Sequence, residues 1–159
     1  FDAVLCTGGP LSHVLKAQDR QQAIAELVRV VKPGGLIFAS VIGRLAVLVV
    51  LLNESQAEIG DPHQIHLVET GDYYGGRGFT ACHFYLPEEI LAEFRCDDLQ
   101  ILELVGLQGI STQHIREFNK LAKDERRFTA WMEIHYQTCT HPGAVAISEH
   151  MLIVCRKNG

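Results

Sequence analysis

The segment Leu27–Ile42, with the sequence LVRVVKPGGLIFASVI, decides the fold of this 159-residue chain. A helix is predicted to lead into it, because apolar residues recur at the i, i+3, i+4, i+7 spacing of one buried face. These residues are Ile24, Leu27, Val28 and Val31. Lys32–Gly35 ends the helix, because proline and glycine interrupt regular structure. Leu36–Ile42 is apolar apart from Ser40, which predicts a strand covered on both faces.

A second apolar run stands before the helix. Phe1–Cys6 is followed by the turn residues Thr7-Gly8-Gly9-Pro10, which predicts a buried strand and a sharp loop. Asp19, with Gln22 three residues later, is expected to cap the helix. Strand, helix and strand with short connections make a βαβ unit, in which the two strands are parallel.

The remaining segments continue the alternation of helices and strands. In chain order we expect a helix over Leu45–Ile59, a loop or hairpin over Gly60–Gly78, a strand over Phe79–Leu86, a helix from Pro87, a strand over Leu99–Leu107, a lid-like helical insertion over about 111–142 with Asp124 as a cap, and a strand over Met151–Cys155. The pattern predicts a single α/β domain.

Composition excludes several classes of function. The net charge is −5, and the one basic pair is Arg126-Arg127, so no nucleic-acid partner is expected. The longest apolar run, Leu45–Leu52, has eight residues, whereas a membrane-spanning helix needs about 20, so no membrane partner is expected either. The five cysteines are far apart, which is typical of reduced thiols in a cytoplasmic protein without a metal site. His63 and His66 are a weak metal-ligand pair.

Three segments together resemble the C-terminal half of a class I S-adenosylmethionine-dependent methyltransferase. They are Phe1-Asp2-Ala3-Val4, Leu27–Gly35 with its "L-x-P-G-G"-like turn, and His83–Ile90 followed by Leu99–Leu104. The resemblance implies a Rossmann-like sheet of order 3-2-1-4-5-7-6. Phe1–Cys6 and Leu36–Ile42 would be parallel strands four and five. Leu99–Leu107 and Met151–Cys155 would be strands six and seven, paired antiparallel.

The resemblance also implies S-adenosylmethionine as cofactor and a small-molecule substrate with an O, N or C acceptor atom. The family's glycine-rich loop and ribose-binding acid are absent from this sequence, and Gly75–Gly78 lacks the strand-to-helix context of such a loop. We therefore expect the chain to be part of a longer protein and to hold about half of a cofactor site.

In this family the cofactor lies across the carboxyl ends of strands one and four. The resemblance therefore implies a cofactor-binding role for Cys6, Thr7, Gly8 and Gly9. His13 resembles the histidine of a "G-N-S-x-x-H" motif beside the cofactor, from which Pro10 departs. The alternative for Gly8 and Gly9 is a tight turn that needs glycine, without a ligand. The alternative for His13 is an ordinary surface histidine.

Candidate substrate-binding residues come from segments expected near the substrate side. Arg44 follows the predicted strand five and could orient an anionic acceptor, although an exposed residue at a helix start fits equally. Tyr74 and Tyr85 flank the glycine-rich segment, and Trp131 lies in the helical insertion. His83 is the candidate general base. For His83 and Trp131 the alternative is ordinary packing, and His150 is a more remote candidate.

Two other classes of function remain open. The chain could be a non-catalytic interaction module, because without a neighbouring strand Phe1–Cys6 is a bare apolar edge that favours pairing with a second copy. A homodimer through this edge is therefore expected. A dinucleotide-dependent dehydrogenase shares the doubly wound fold, but the sequence has no Tyr-x-x-x-Lys motif.

Overall fold

The computed structural model describes residues 1–75 and 80–159. Strands and helices alternate along the chain, and three short 3₁₀ turns lie between them at Pro10–His13, Gln56–Glu58 and Gly109–Ser111. The strands are β1 (Ala3–Cys6), β2 (Leu36–Ile42), β3 (Asp72–Tyr73), β4 (Cys82–His83), β5 (Leu99–Gly106) and β6 (His150–Lys157). The helices are α1 (Ala17–Val30), α2 (Arg44–Glu54), α3 (Pro62–Thr70), α4 (Pro87–Glu93), α5 (Ile115–Leu121), α6 (Glu125–Thr138) and α7 (Pro142–Ile147).

The main sheet has the order β1-β2-β6-β5. β1 and β2 are parallel, and β6 pairs antiparallel with both β2 and β5. β6 therefore runs against the other three strands of this sheet. β6, the last strand of the chain, lies between β2 and β5. These segments therefore have the neighbours that the resemblance implies. The α/β, Rossmann-like fold is confirmed, and the family's strand numbers stay a prediction.

The hydrophobic core lies on one face of this sheet. Ile37, Ala39 and Val41 of β2 are fully buried, and β6 supplies register partners that are equally buried, namely Cys155, Ile153 and Met151. Helix α1 contributes Ile24 and Val28, α4 contributes Ile90, and Phe94 follows directly after α4. The predicted helical stripe before Lys32 is thus confirmed as a core-facing surface.

The opposite face of the sheet is covered less completely. Leu5 of β1 pairs in register with Phe38 of β2, which in turn pairs with Val154 of β6. Phe38 and Val154 are half-buried, and Leu5 is 72% exposed. An apolar strip therefore runs from the centre of the sheet to its open edge. On this second face of β2, Ser40 is buried and Leu36, Phe38 and Ile42 are half-buried, so the prediction that both faces are covered is confirmed in part.

Two local predictions are wrong. Asp19 does not cap α1, because the helix begins two residues earlier and Lys16 occupies the cap position; Asp19 instead lies in the first turn, where the helix dipole favours an acid. The Gly60–Gly78 segment is not simply a loop, because it contains α3. Pro62 opens α3, and Gly71 ends it with a left-handed backbone at φ 81°.

The predicted strand over Phe79–Leu86 is mostly irregular. Phe79 lies outside the described residues, β4 covers only Cys82–His83, and Tyr85 forms one isolated parallel bridge with Gly43. The predicted helix from Leu45 begins at Arg44 and ends at Glu54. It is followed by a 3₁₀ turn rather than extending to Ile59.

Three helices, α5, α6 and α7, lie between β5 and β6 where the helical insertion is predicted. Asp124 caps α6 as predicted, since its carboxylate accepts a hydrogen bond from the Arg127 amide at 3.1 Å. Trp131 Nε1 donates to Ser111 Oγ at 3.1 Å, which ties α6 to the 3₁₀ turn after β5. α7 packs against both α2 and β5, and the insertion therefore continues to the carboxyl end of β2.

Candidate functional site

The turn after β1 is held open by two glycines. Gly8 and Gly9 have φ values of 88° and 80°, a left-handed region that side chains with a Cβ rarely adopt. Their amides both donate to Ser40 Oγ of β2, at 2.9 and 3.3 Å. No other described atom lies within 4 Å of where a Gly8 Cβ would be. A ligand can therefore approach the backbone closely at this point.

The same turn contacts the end of β2. A Cβ on Gly9 would lie 3.0 Å from Ile42 Cγ1, and the Ile42 amide donates to Ser12 Oγ at 2.9 Å. Because β1 and β2 are parallel, both carboxyl ends lie at one edge of the sheet, where open α/β folds bind ligands.

A cavity of about 520 Å³ opens beside Ile42, a size typical of small-molecule sites. One wall is the inner face of α2, including Ala46 and Val50, and another is formed by Leu67 of α3. Tyr73 and Phe84 add aromatic rings whose centroids are 6.4 Å apart. The base of the cavity is therefore apolar. Ile42 connects the cavity to the glycine turn, because it lines the cavity and contacts Gly9.

Acidic side chains surround this cavity. Glu54, Glu58 and Glu149 line it, together with the uncharged Gln64, Ser55 and Gln113 and with His150. The Glu58 side chain is only 14% exposed and lies 3.9 Å from His63. Burial, and second the charge of Glu58, raise the pKa of the Tyr73 hydroxyl. Glu149 accepts a hydrogen bond from the Gln113 amide.

A second cavity of about 470 Å³ lies under the helical insertion. Met132 and His135 of α6 line it, and it shares Glu54, Gln113 and Glu149 with the first cavity. The two cavities therefore adjoin each other, and together they are called the groove; the insertion supplies one of its walls. The position of the insertion beside a substrate opening stays a prediction.

His83 belongs to a different cluster. It is 5% exposed, and its Nδ1 lies 2.7 Å from Asp72 Oδ1. Because a carboxylate only accepts, Nδ1 carries the proton and Nε2 keeps a free lone pair. Nε2 lies 4.0 Å from Glu89 Oε2. β4 packs against the 3₁₀ turn that follows Gly9, so His83 lies behind the glycine turn rather than in the groove.

The contacts of Arg44 and Tyr85 favour internal roles. Arg44 is 3% exposed; Nη2 contacts both carboxylate oxygens of Glu89, and Nε donates to the Phe84 carbonyl at 3.0 Å. Tyr85 is 1% exposed and donates its hydroxyl proton to Glu93 at 2.9 Å. Neither side chain lines the groove, and their substrate-binding roles stay predictions that these contacts do not support.

The other predicted residues are scattered around the groove. Cys6 is half-buried, and burial raises the pKa of its thiol. His13 is exposed, with Nδ1 3.4 Å from the Ala81 carbonyl. Tyr74 is 67% exposed and stacks on His66. Trp131 is half-buried and bonded to Ser111, which lines the second cavity.

Sequence reasoning did not find the acids of the groove. Glu54, Glu58 and Glu149 come from separate segments, and they share no motif or spacing. The one available signal was His150 at the start of the last strand. Within residues 1–75 and 80–159, no group of three His, Cys, Asp or Glu side chains could hold a metal ion. No helix in this part of the chain is long and apolar enough to cross a membrane.

Comparisons with known proteins bear on the family and the fold of this chain. Residues 1–39, which include β1, the glycine turn and α1, match a family model described as methyltransferase domain. An S-adenosylmethionine-dependent methyltransferase from Clostridium acetobutylicum superposes with a TM-score of 0.53 at 11% identity, over 100% of this chain and 59% of that one. The [4+2]-cyclase SpnF aligns at a TM-score of 0.46 and 19% identity, over 99% of this chain and 50% of that one. No curated protein sequence matches the chain.

These findings confirm the resemblance to class I S-adenosylmethionine-dependent methyltransferases, and the chain has the α/β fold of that class. It spans 59% and 50% of the two solved structures named here.

Proposed function

We propose that this chain is the acceptor-binding part of an S-adenosylmethionine-dependent methyltransferase that acts on a small molecule. One observation carries the proposal: the Gly8-Gly9 turn, which lies in the matched segment, contacts Ile42, and Ile42 lines the 520 Å³ cavity. A cofactor at the turn and an acceptor in the cavity would thus meet at the carboxyl ends of two parallel strands.

The cofactor would supply an activated methyl group on sulfur, and this chain would supply alignment and exclusion of water. The open space beside Gly8 and the Ser40 contacts that fix both glycine amides fit a ligand in close contact with the backbone. Cys6, Thr7 and His13 are the neighbouring residues that would complete this side of the site. The glycine-rich segment would come from outside this sequence.

His83 remains the candidate proton acceptor in this proposal. Its Nδ1–H donates to Asp72, which leaves the lone pair of the neutral ring on Nε2, but His83 is 5% exposed and lines neither cavity. The neutral His150 is oriented the other way, because Gln108 Nε2 lies 3.1 Å from its Nδ1 and donates to it, which leaves the proton on Nε2. His150 would therefore donate a hydrogen bond to a molecule in the groove.

Methyl transfer in a protein that contains this chain together with a glycine-rich cofactor segment tests the proposal. Incorporation of labelled methyl into acceptor should fall at least tenfold in His83→Asn and less in His150→Asn, because general base catalysis contributes 10²–10⁴-fold. Wild-type levels of transfer in His83→Asn would remove His83 from the mechanism. The absence of any transfer with a broad set of acceptors would contradict the proposal itself.

A second function, an interaction module, is favoured by a separate observation. Leu5 and Phe1 are 72% and 74% exposed on or beside the open edge of β1. Such an edge is a template for pairing with another chain. We therefore propose as the alternative that the isolated chain associates with a second copy through β1.

A further inference from the structure

The charged side chains that line the groove are all acidic. Its described lining holds Glu54, Glu58 and Glu149 but no lysine or arginine. Among described residues, the only ion-pair partner of these three acids is His63, 3.9 Å from Glu58. Gln64 and Gln113 donate hydrogen bonds to Glu58 and Glu149, but no described lysine or arginine neutralises the three acids.

The three acids line the first cavity together with apolar and aromatic side chains. Glu58 is mostly buried beside Tyr73, and Tyr73 faces Phe84 across a centroid distance of 6.4 Å. Ala46, Val50 and Leu67 complete the floor. Aromatic faces attract cations, and a carboxylate in a partly desolvated site binds an ammonium group more strongly than in water.

An anionic acceptor does not fit this groove. It would meet three carboxylates, and the nearby cation Arg44 is bound to Glu89 and lies outside the lining. A fully apolar acceptor would take water away from the Glu58 carboxylate and leave it only His63 at 3.9 Å and the Gln64 amide at 3.4 Å, which is costly. The lining is complementary to a molecule with an apolar body and a positive amine.

We propose that the groove recognises amines carried on an apolar or aromatic body, with Glu58 as the main contact and with Glu149 and Glu54 as supporting charges. This proposal rests on the proposed function for the identity of the groove as the acceptor site. It concerns recognition of the amine, whichever atom of the acceptor receives the methyl group.

Calorimetric titration of this chain with 2-phenylethylamine and with 3-phenylpropanoate tests the inference without cofactor. The amine should bind at least tenfold more tightly than the carboxylate. Glu58→Gln should weaken amine binding about tenfold, the size of one charge-assisted hydrogen bond. Glu88→Gln, an exposed acid of α4 outside the groove, is the matched control and should change nothing.

Glu54→Gln and Glu149→Gln keep the test decisive if Glu58→Gln does not fold. Glu54 is exposed, so its replacement should leave thermal melting unchanged while weakening the amine twofold or more. Equal or tighter binding of the carboxylate would overturn the proposal, as would no binding of either probe or amine binding that none of the three variants weakens. Binding of S-adenosylhomocysteine is measured separately. A chain that binds S-adenosylhomocysteine but does not prefer the amine contradicts this inference alone, whereas a chain that binds neither contradicts the proposed function as well.

Discussion

Arg44 Nη2 lies 2.6 and 2.7 Å from the two carboxylate oxygens of Glu89. This pair joins the first residue of α2 to the first turn of α4, and it buries a charge that the sequence alone placed at the substrate side. Glu89 also accepts the Leu86 amide at 2.6 Å, which caps α4. The contact therefore fixes the segment from β4 to α4 against the wall of the groove.

Removing one member of this pair should destabilise the fold strongly. Glu89→Gln leaves the 4%-exposed side chain of Arg44 without its counter-charge, and we expect a loss of about 3 kcal/mol in the free energy of unfolding. Urea denaturation measures it. Glu26→Gln is the control, since its pair with Arg29 is fully exposed and should contribute nothing measurable. Equal stability of the two variants would contradict the internal role of Arg44.

Gly71 should tolerate no side chain. A Cβ there would overlap Arg44 Nη2 and the Phe84 carbonyl, whereas a Cβ on Gly60 would meet nothing within 4 Å. Both glycines have positive φ, 81° and 100°. Backbone strain should therefore lower the free energy of unfolding of both alanine variants by about 1–2 kcal/mol. Gly71→Ala should lose at least about 2 kcal/mol more. Thermal unfolding compares them, and equal losses would refute the predicted close packing.

The open edge of β1 should make the isolated chain self-associate. Leu5→Lys places a charge on that edge and should raise the monomer fraction in sedimentation velocity. Ile115→Lys is the matched control, because Ile115 is 70% exposed on α5, away from the edge. A wild-type chain that is monomeric at high micromolar concentration would rule out the proposed association.

The buried thiols should resist alkylation. Burial raises the pKa of Cys82 and of Cys155 to about 12, and the thiolate is the reactive form. Cys96 is exposed and should react with iodoacetamide at pH 8 at least about 100-fold faster. Peptide mass spectrometry over time measures each rate. Comparable rates at Cys82 and Cys96 would mean that the core around β4 opens readily.

The same thiols should make the fold weaker in alkali. In the unfolded chain they ionise near pH 9.0, but in the folded chain only near 12. The unfolded state therefore loses protons first, so the stability contribution is complete below pH 9 and is lost as the pH rises towards 12. At pH 10.5 we expect a loss of about 2 kcal/mol per thiol relative to pH 8. Cys82→Ala should reduce that loss in urea unfolding, and an unchanged loss would contradict the assignment.

Much of the sheet could be predicted because its signals are local. The apolar run Leu36–Ile42 and the turn Lys32–Gly35 each determine their structure through neighbouring residues, and both were placed correctly. Helix α3 was missed because the glycines around it dominated the pattern, although Pro62 and Gly71 mark its two ends. The predicted start of α1 was wrong by three residues, because a capping pattern at Asp19 competed with helix signals before it.

The candidate site was harder to predict than the fold. The glycine turn could be found because its residues are consecutive. The acids of the groove could not, since Glu58 and Glu149 are 91 residues apart and line the same cavity only in the folded chain, in which α2 packs against α7. Arg44 was assigned to the substrate because sequence position cannot reveal that Glu89 neutralises it. Charge pairing between distant segments is the information that a single sequence lacks.

Calorimetric titration of this chain with S-adenosylhomocysteine tests the central claim, that the glycine turn is part of a cofactor site. We predict saturable one-site binding that Gly9→Ala weakens at least tenfold, because its Cβ would press on Ile42 at 3.0 Å. Gly34→Ala is the matched control. Gly34 has a similar φ of 78° and open space around it, but it lies at the amino ends of the strands, so this variant should bind as the wild type does. No binding at millimolar ligand, or equal binding by both variants, would contradict the claim.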